Sequence, residues 1–309
     1  MLASEDRCLL RLARRKLSPW KNPMYPRSYL FVPGNRPERF DKACAAGADA
    51  VIIDLEDAVP PTAKAQARDA VMSWLRNGGR AYVRANAVDT EWYKDDIAAL
   101  RTCRSLQGIV VPKAERADLL SNLANEISDE AALLPLIETA VAFDDLRSLA
   151  KVPKVERLLF GTLDFQVDTG IQGDGDELVY FRSQLTIASR IAGIAAPVDG
   201  VTAAIDDAQR IRRDAVRARN LGFRGKLCIH PKQIEHVHVA LRPCLEEIEW
   251  AHRVLSAVQE SDGSAISVDG KLMDAPVIAM ANDIVCSSVA ESATEPRHTA
   301  SSDGGAGAS

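Results

Sequence analysis

Short apolar runs alternate with amphipathic segments along most of this chain, and each run ends in polar or charged residues. Eight runs have the length of buried strands, and the segments between them repeat apolar residues with a helical period. In chain order the runs are YLFV, AVIID, AYVR, GIVV, LLPLI, RLLF, APVDG and GKLCI. Strands and helices in this alternation predict an α/β fold, a TIM (β/α)8 barrel, whose usual length is about 250 residues.

The ends of some helices are also marked in the sequence. After the first strand, Asn35 is expected to cap a helix that stops at Gly47, and Pro231 is expected to begin the helix after the eighth strand. An open, doubly wound sheet is the alternative to a barrel, but PGNRP stands where that fold carries its GxGxxG motif. The pattern therefore favours a barrel over residues 27–242.

Three segments lie outside this pattern. Residues 1–26 are basic and polar and are predicted to form a flexible N-terminal extension. Residues 243–286 contain an amphipathic helix, turn residues around a short apolar strand and a last helix, which predicts a C-terminal helical extension. Residues 287–309 hold few large apolar side chains and are predicted to be a disordered tail.

Composition narrows the kinds of partner. The 309 residues carry a formal net charge of −5 and no sustained run of Lys or Arg, which argues against nucleic acid and membranes as partners. The 6 cysteines show no CxxC pair and no zinc spacing, so we interpret them as small core residues in a reducing cytosol. No apolar stretch has the length of a membrane span, and we expect a cytoplasmic protein.

Two carboxylates follow consecutive predicted strands, Glu138 after LLPLI and Asp164 after RLLFGTL. The segment between them has the apolar spacing of a crossover helix, so the two strands are expected to be parallel and both carboxylates to emerge at one edge. Two like charges at that edge favour a cation between them, and Mg²⁺ uses one or two carboxylates together with water and substrate. For each carboxylate alone, helix capping or pairing with an arginine is the alternative.

Polar residues follow the other predicted strands too, and in a barrel they would surround the C-terminal mouth, where active sites of this fold lie. These residues are Glu56, Asp57, Arg84, Lys113, Glu138, Asp164, Asp199 and His230. Arg36 is expected at a helix start, where free N–H groups and a guanidinium favour phosphate; a solvated surface arginine is the alternative. Asp274 precedes the last predicted helix, and simple N-capping is the alternative to a functional role.

Eight segments between Arg27 and Val285 carry a resemblance to a known family. They are RSYLFVPGNRPERFDKA, DLEDAV, VRAN, VPK, LIET, FGTLDF, GFRGKLCIHPKQI and GKLMDAPV, in this order. Together they resemble the citrate lyase beta-chain family of the HpcH/HpaI aldolase–citrate lyase superfamily, which includes malyl-CoA lyase and citramalyl-CoA lyase. The resemblance implies a Mg²⁺-dependent TIM barrel that cleaves or forms a carbon–carbon bond between a CoA thioester enolate and a keto acid, as a homotrimer or hexamer.

The resemblance also implies roles for single residues. Glu138 and Asp164 correspond to metal-binding carboxylates, and Arg84 to the arginine that meets the oxygens of the keto acid and the thioester. Asp274 corresponds to a catalytic aspartate on a segment that closes over the mouth of a neighbouring subunit. The implied catalytic residues are Arg84, Asp274, Glu56 and Asp57, and those implied in binding CoA and substrate are Phe31, Arg36, Lys42, Arg84, Leu163, Ile229 and His230.

Three other functions are compatible with parts of the sequence. A CoA-independent, metal-dependent keto-acid aldolase would keep the barrel and the metal, but it has no diphosphate for Arg36 and Lys42 to hold. A lyase subunit acting on the thioester of an acyl-carrier-protein partner, and a non-enzymatic scaffold, are the others. Intact Glu138, Asp164 and Arg84 argue against the scaffold, and the polar loop FQVDTGIQGDGD leaves the acyl specificity open.

Overall fold

Eight parallel strands form a closed barrel in this protein, for which the computed structural model describes residues 25–261 and 266–292. The strands are β1 (Ser28–Pro33), β2 (Ala50–Asp54), β3 (Tyr82–Arg84), β4 (Gly108–Val111), β5 (Ala132–Ile137), β6 (Leu159–Phe160), β7 (Val198–Asp199) and β8 (Gly225–Cys228). Each strand pairs with the next, and β1 also pairs with β8, which closes the barrel. The predicted TIM barrel is therefore confirmed.

At least one helix follows each strand of the barrel. The helices are α1 (Phe40–Cys44), α2 (Lys64–Arg76), α3 (Tyr93–Leu100), α4 (Ala117–Glu126), α5 (Ala140–Asp144), α6 (Leu146–Ala150), α7 (Thr162–Thr169), α8 (Val179–Ala192), α9 (Ala208–Asn220) and α10 (Ile234–Leu241). Short 3-10 turns precede four of them, at Pro37–Arg39, Pro61–Ala63, Asp176–Leu178 and Pro231–Gln233. None of the helices among the described residues is long and apolar enough to cross a membrane.

Two details of the helices differ from the sequence pattern. Asn35 does not cap the first helical segment: Arg36 directly precedes its 3-10 turn, and no side chain caps that turn. Pro37 begins the turn and has no N–H group to satisfy, so a cap is less needed there. The crossover between β5 and β6 is two short helices rather than one, because the backbone leaves the helical conformation at Asp145. Pro231 begins its 3-10 turn as expected.

Apolar side chains fill both the barrel interior and the layer between the strands and the helices. Inside the barrel, Tyr29, Ile52, Leu134 and Val198 are fully buried. The outer layer is the larger core, and it includes a cluster of aromatic rings from Phe143, Phe160, Phe165 and Phe181. Packing on both faces of the strands explains why their sequences are continuous apolar runs.

Asp199, the last residue of β7, is a buried ion-pair centre. Arg182 Nε donates to its Oδ1 atom at 2.7 Å, and Lys226 Nζ donates to its Oδ2 atom at 3.2 Å. Burial alone would raise the pKa of the Asp199 carboxyl, but the two cations outweigh burial and hold the pKa below its usual range. Asp199 is therefore enclosed between cations, and it is not free at the mouth as the strand-end pattern suggested.

The chain divides into two compact units between Leu241 and Arg242. The described part of the second unit contains α11 (Leu245–Glu260), an antiparallel pair of strands, β9 (Ile266–Val268) and β10 (Lys271–Met273), and α12 (Ala275–Ser292). Ala251, Val254, Met273 and Ala281 form its small core. Helix α12 continues beyond residue 287, where the sequence predicted a disordered tail to begin. Residues 1–24 and 293–309 lie outside the described residues. They make up most of the predicted N-terminal extension, 1–26, and most of the predicted tail, 287–309.

We expect Asp199→Asn to lower the free energy of unfolding by roughly 3 kcal/mol, because Arg182 and Lys226 would stay buried beside a neutral amide. Denaturant titration followed by circular dichroism measures the loss. Asp206→Asn is the matched control: Asp206 also pairs with a lysine, Lys232, but both side chains are largely exposed. Its midpoint should stay at the wild-type value. Equal midpoints for the two variants would contradict the structural role of Asp199.

Candidate active site

Arg84, the last residue of β3, lies at the barrel mouth and is only 8% exposed. Its partner is Asp54, the last residue of β2, which stands beside it in the strand register. Arg84 Nε and Nη2 each lie 2.7 Å from an oxygen of the Asp54 carboxylate, so two parallel hydrogen bonds fix the guanidinium plane. The centroid of the Phe31 ring lies 5.0 Å from Arg84 Cζ. A buried acid at a strand end is expected to face a cation, a donor network or water, and Arg84 is the cation that Asp54 faces.

Glu56 and Asp57 face the same guanidinium from the turn after β2. Arg84 Nη1 lies 3.0 Å from Glu56 Oε2 and 3.1 Å from Asp57 Oδ2. Burial raises the pKa of Glu56 to about 7 against the opposing charge of Arg84. The negative charges of Asp57 and Asp54 add to the rise. Three carboxylates therefore share one guanidinium, and the mouth carries an excess of negative charge.

Lys64 holds the turn that carries these acids. No pattern in the sequence indicated this role. The residue begins α2 and is buried, and its Nζ atom donates to the backbone oxygens of Leu55 and Glu56, both at 2.7 Å. Nζ also lies 5.2 Å from the Trp92 ring centroid. A buried ammonium on two backbone oxygens fixes the turn more firmly than the backbone alone would. In a sequence, a lysine at the start of a helix is usually read as an exposed surface residue.

Glu138, which follows β5, has one satisfied and one unsatisfied oxygen. It is 2% exposed, and its Oε1 atom accepts a hydrogen bond of 2.7 Å from the backbone N–H of Lys113. Its Oε2 atom is buried and has no hydrogen-bond partner among the described residues. Burial raises the pKa of the Glu138 carboxyl to about 8, and the charges of Glu56 and Asp164 act in the same direction.

Gly161 allows β6 to end close to Glu138. A Cβ atom on Gly161 would lie 2.6 Å from Glu138 Oε2, so any side chain there would displace the carboxylate. The strand stops at Phe160 and α7 begins at Thr162, which puts Asp164 in the first helical turn instead of at a strand end. Although Asp164 is an exposed residue, partial burial of its carboxyl group raises its pKa, and the charge of Asp57 adds to the rise.

The residues present fit Mg²⁺. A buried carboxylate oxygen without a donor is costly, and a cation removes that cost. The available donors are all carboxylate oxygens, which hard cations prefer, and the two predicted metal residues, Glu138 and Asp164, influence each other electrostatically. In residues 25–261 and 266–292, no three His, Cys, Asp or Glu side chains gather into a complete metal cage. This suits Mg²⁺, which keeps several waters and needs only one or two carboxylates.

The residues predicted to bind CoA lie around the ends of β1 and β8, which are neighbours in the barrel. Phe31 is half-buried in β1, and Arg36 is exposed, with its Nε atom 2.7 Å from Glu38 Oε1. Lys42 is exposed on α1. After β8, Ile229 is 40% exposed, and His230 Nδ1 accepts a hydrogen bond from Lys232 N.

Leu163 and Asp274 belong to other parts of the chain. Leu163 is half-exposed on α7, directly before Asp164. Asp274 lies in the second compact unit, where its Oδ1 atom accepts a hydrogen bond of 3.1 Å from Val277 N at the start of α12. This is the N-capping geometry that the sequence analysis gave as the alternative to a catalytic role.

Comparison with known proteins agrees with the fold. The family model described as HpcH/HpaI aldolase/citrate lyase matches residues 27–231. A citrate lyase subunit beta-like protein of Deinococcus radiodurans is 35% identical over 85% of this chain and 97% of its own. A (3S)-malyl-CoA thioesterase of Cereibacter sphaeroides is 33% identical over 80% of this chain and 89% of its own.

A solved structure is similar over most of its length. It is protein CitE from Mycobacterium tuberculosis in complex with magnesium, acetoacetate and coenzyme A. It superposes with a TM-score of 0.76 and 32% identity, over 85% of this chain and 98% of that one. The barrel, the family model and the two relatives agree on one assignment. The chain therefore belongs to the HpcH/HpaI aldolase/citrate lyase family, and it is a carbon–carbon lyase.

Proposed function

We propose that the chain is a Mg²⁺-dependent lyase of CoA esters, which cleaves or forms a β-hydroxyacyl-CoA of the malyl-CoA or citramalyl-CoA type. Cleavage gives a keto acid and an acyl-CoA through a thioester enolate. The observation that carries the proposal is the Oε2 atom of Glu138, which is buried beside further carboxylates and has no hydrogen-bond partner in the part of the chain that the structure describes. The complex of CitE with magnesium, acetoacetate and coenzyme A supports the same set of ligands.

Glu138 and Asp164 would hold the metal. When bound, Mg²⁺ supplies a Lewis acid for substrate oxygens. Glu56 and Asp57 have a supporting role, because the charge of Glu56 acts on Glu138 and that of Asp57 acts on Asp164. These four carboxylates therefore respond together to a cation.

Arg84 would stabilise the enolate oxygen. Asp54 holds its guanidinium through Nε and Nη2, so the direction of the remaining Nη1 atom is set before substrate arrives. Nη1 contacts Glu56 and Asp57, and the Asp57 side chain is 67% exposed, so it can turn away and let a substrate oxygen share the donor. A preorganised donor of this kind contributes about 3 kcal/mol to the stability of a developing oxyanion.

Arg36 and Lys42 would bind the phosphates of CoA. Both are exposed cations on the segment after β1, and Glu38, which pairs with Arg36, is itself exposed and easily given up. Ile229 and His230, at the end of the neighbouring strand β8, would border the pantetheine arm, and Leu163 would border the acyl group. A keto-acid aldolase has no use for these cations, which favours the CoA ester.

Asp274 would exchange the proton of the enolate carbon, as acid in cleavage and as base in condensation. We further propose that it acts on the mouth of a neighbouring subunit in a homotrimer or hexamer. An element beyond the barrel reaches a neighbour readily in a cyclic assembly, because the same interface repeats around the ring. In a variant of this proposal, the substrate is the thioester of an acyl-carrier protein, so that a protein partner carries the acyl group in place of free CoA.

The decisive test is a panel of CoA esters given to the purified protein with Mg²⁺: malyl, citramalyl, methylmalyl and hydroxymethylglutaryl. We expect keto-acid release from a malyl or citramalyl ester, loss of activity with EDTA, and no release from the free hydroxy acids. Release from the free acids would instead indicate the aldolase. Activity only with carrier-protein thioesters would indicate the subunit of a complex.

Thioester hydrolysis is a second candidate, favoured by the 33% identity to a (3S)-malyl-CoA thioesterase. The same panel separates the two reactions by their products. A lyase releases a keto acid and leaves the thioester intact on the acyl-CoA, whereas a thioesterase releases free CoA thiol and a hydroxy acid. Thiol release without keto acid would replace the lyase proposal by the hydrolytic one.

We expect Mg²⁺ binding to strengthen as the pH rises from about 6 to 9. Folding raises the pKa of Glu138 to about 8 and that of Glu56 to about 7, so the folded, metal-free chain holds protons that the unfolded chain releases. The stability of the metal-free protein therefore falls as pH rises through this range, while more carboxylate becomes available to the metal. The rise in melting temperature on adding Mg²⁺, measured at each pH, should grow accordingly.

Glu138→Gln is the matched control for this pH series. The variant keeps the size of the side chain but cannot ionise, so its metal-free form should lose less stability at high pH than the wild type. It should also show little stabilisation by Mg²⁺ at any pH. A wild-type response to Mg²⁺ that stays constant from pH 6 to 9 would contradict the role of these carboxylates.

We expect Asp274→Asn to remove activity without removing the helix cap, because Asn caps helices about as well as Asp. Mixing this variant with Arg84→Ala should then restore some activity, since a mixed oligomer can contain a site with both residues intact. Keto-acid release after verified subunit exchange measures the recovery. A mixture that stays inactive would mean that Asp274 does not serve a neighbouring subunit.

A further inference from the structure

The two metal carboxylates come from different segments, and neither segment fixes their separation by itself. Glu138 follows β5 directly, whereas Asp164 lies in the first turn of α7. Helix α7 is only 8 residues long, so its direction depends on what holds it to its neighbours. A contact that joins α7 to the residues just after Glu138 therefore acts on the distance between the two carboxylates, together with the pairing of Ile137 and Phe160 between β5 and β6.

Asp168 makes such a contact. Its Oδ2 atom accepts a hydrogen bond of 2.7 Å from the backbone N–H of Ala140. Ala140 begins α5 and lies two residues after Glu138, and Asp168 lies one helical turn after Asp164, on the same side of α7. One charge-assisted hydrogen bond thus connects the segments that carry the two metal residues.

On its buried side, the contact between α5 and α7 is apolar. The rings of Phe143, on α5, and Phe165, on α7, lie 4.8 Å apart between centroids. Aromatic packing holds the helices together but does not select one rotation of α7 as sharply as a directional bond does. The hydrogen bond of Asp168 on the exposed side selects the rotation of α7. The Phe143–Phe165 contact on the buried side holds α7 against α5.

We propose that Asp168 is a positioning residue for the metal site: it does not bind the metal, but it fixes Asp164 relative to Glu138. The inference rests on the proposed function only in taking Glu138 and Asp164 as the metal ligands. Groups that orient the ligands of a metal typically contribute about 10-fold to 100-fold to its affinity. Asp168 acts in this way through the start of α5.

The test is Mg²⁺ affinity, measured by titration calorimetry on the full chain. Asp168→Ala should weaken Mg²⁺ binding by about 10-fold or more. Asp168→Asn loses the charge but keeps a short carbonyl acceptor for the Ala140 N–H group, so it should bind Mg²⁺ nearly as tightly as the wild type. Asp144→Ala, which removes an exposed carboxylate from α5 itself, should leave the affinity unchanged.

Two results would overturn the proposal while leaving the proposed function intact. Unchanged affinity in Asp168→Ala would show that the bond does not position the ligands. Equal weakening in the Ala and Asn variants would assign the effect to the charge of Asp168 acting at a distance. If the wild type itself binds no Mg²⁺, the metal in the proposed function fails, and this inference fails with it. Metal-free melting curves identify a temperature at which all variants are folded, and the titrations are made there.

Discussion

Crowding of carboxylates around one buried arginine is the constraint on which the rest of the mouth depends. Asp54 takes two of the donors of Arg84, and Glu56 and Asp57 share a third. The single guanidinium cannot neutralise three acids, and Glu138 adds a fourth that is almost fully buried. Burial raises the pKa values of Glu56 and Glu138, and the neighbouring carboxylates raise them further, so the site attracts a hard cation.

The barrel brings acids together at its mouth, but not every strand-end acid is crowded by other acids. In a closed parallel sheet, every strand ends at the same mouth, so acids that are far apart in sequence become neighbours. At the end of β7, the same fold neutralises a strand-end acid with two cations. Asp199 shows this, because Arg182 and Lys226 enclose it and hold its pKa below the usual range. At nearly equal burial, Asp199 and Glu138 therefore differ in the direction of the pKa change, lowered by adjacent cations in Asp199 and raised in Glu138.

Two lysine contacts show how the backbone of the mouth is held in place. The Lys64 side chain donates to the backbone of the turn that carries Glu56, and the Lys113 backbone donates to Glu138. Lys113 adopts a positive φ of 44°, which is unfavourable for a residue with a Cβ atom. Such strain is typical of functional sites, and here it aims an N–H group at one oxygen of Glu138 and leaves the other unpaired.

The sequence by itself determined the barrel, because a strand buried on both faces must be apolar throughout and a covering helix must repeat apolar residues every three to four positions. It also indicated Glu138 and Asp164 as a pair, since consecutive parallel strands end at one edge. Only the tertiary structure decided which acid holds Arg84, because strand register puts Asp54 beside it, and which Glu138 oxygen stays unpaired, because Gly161 packs against it. Register and close packing depend on contacts between distant segments, and a local pattern of residues does not encode them.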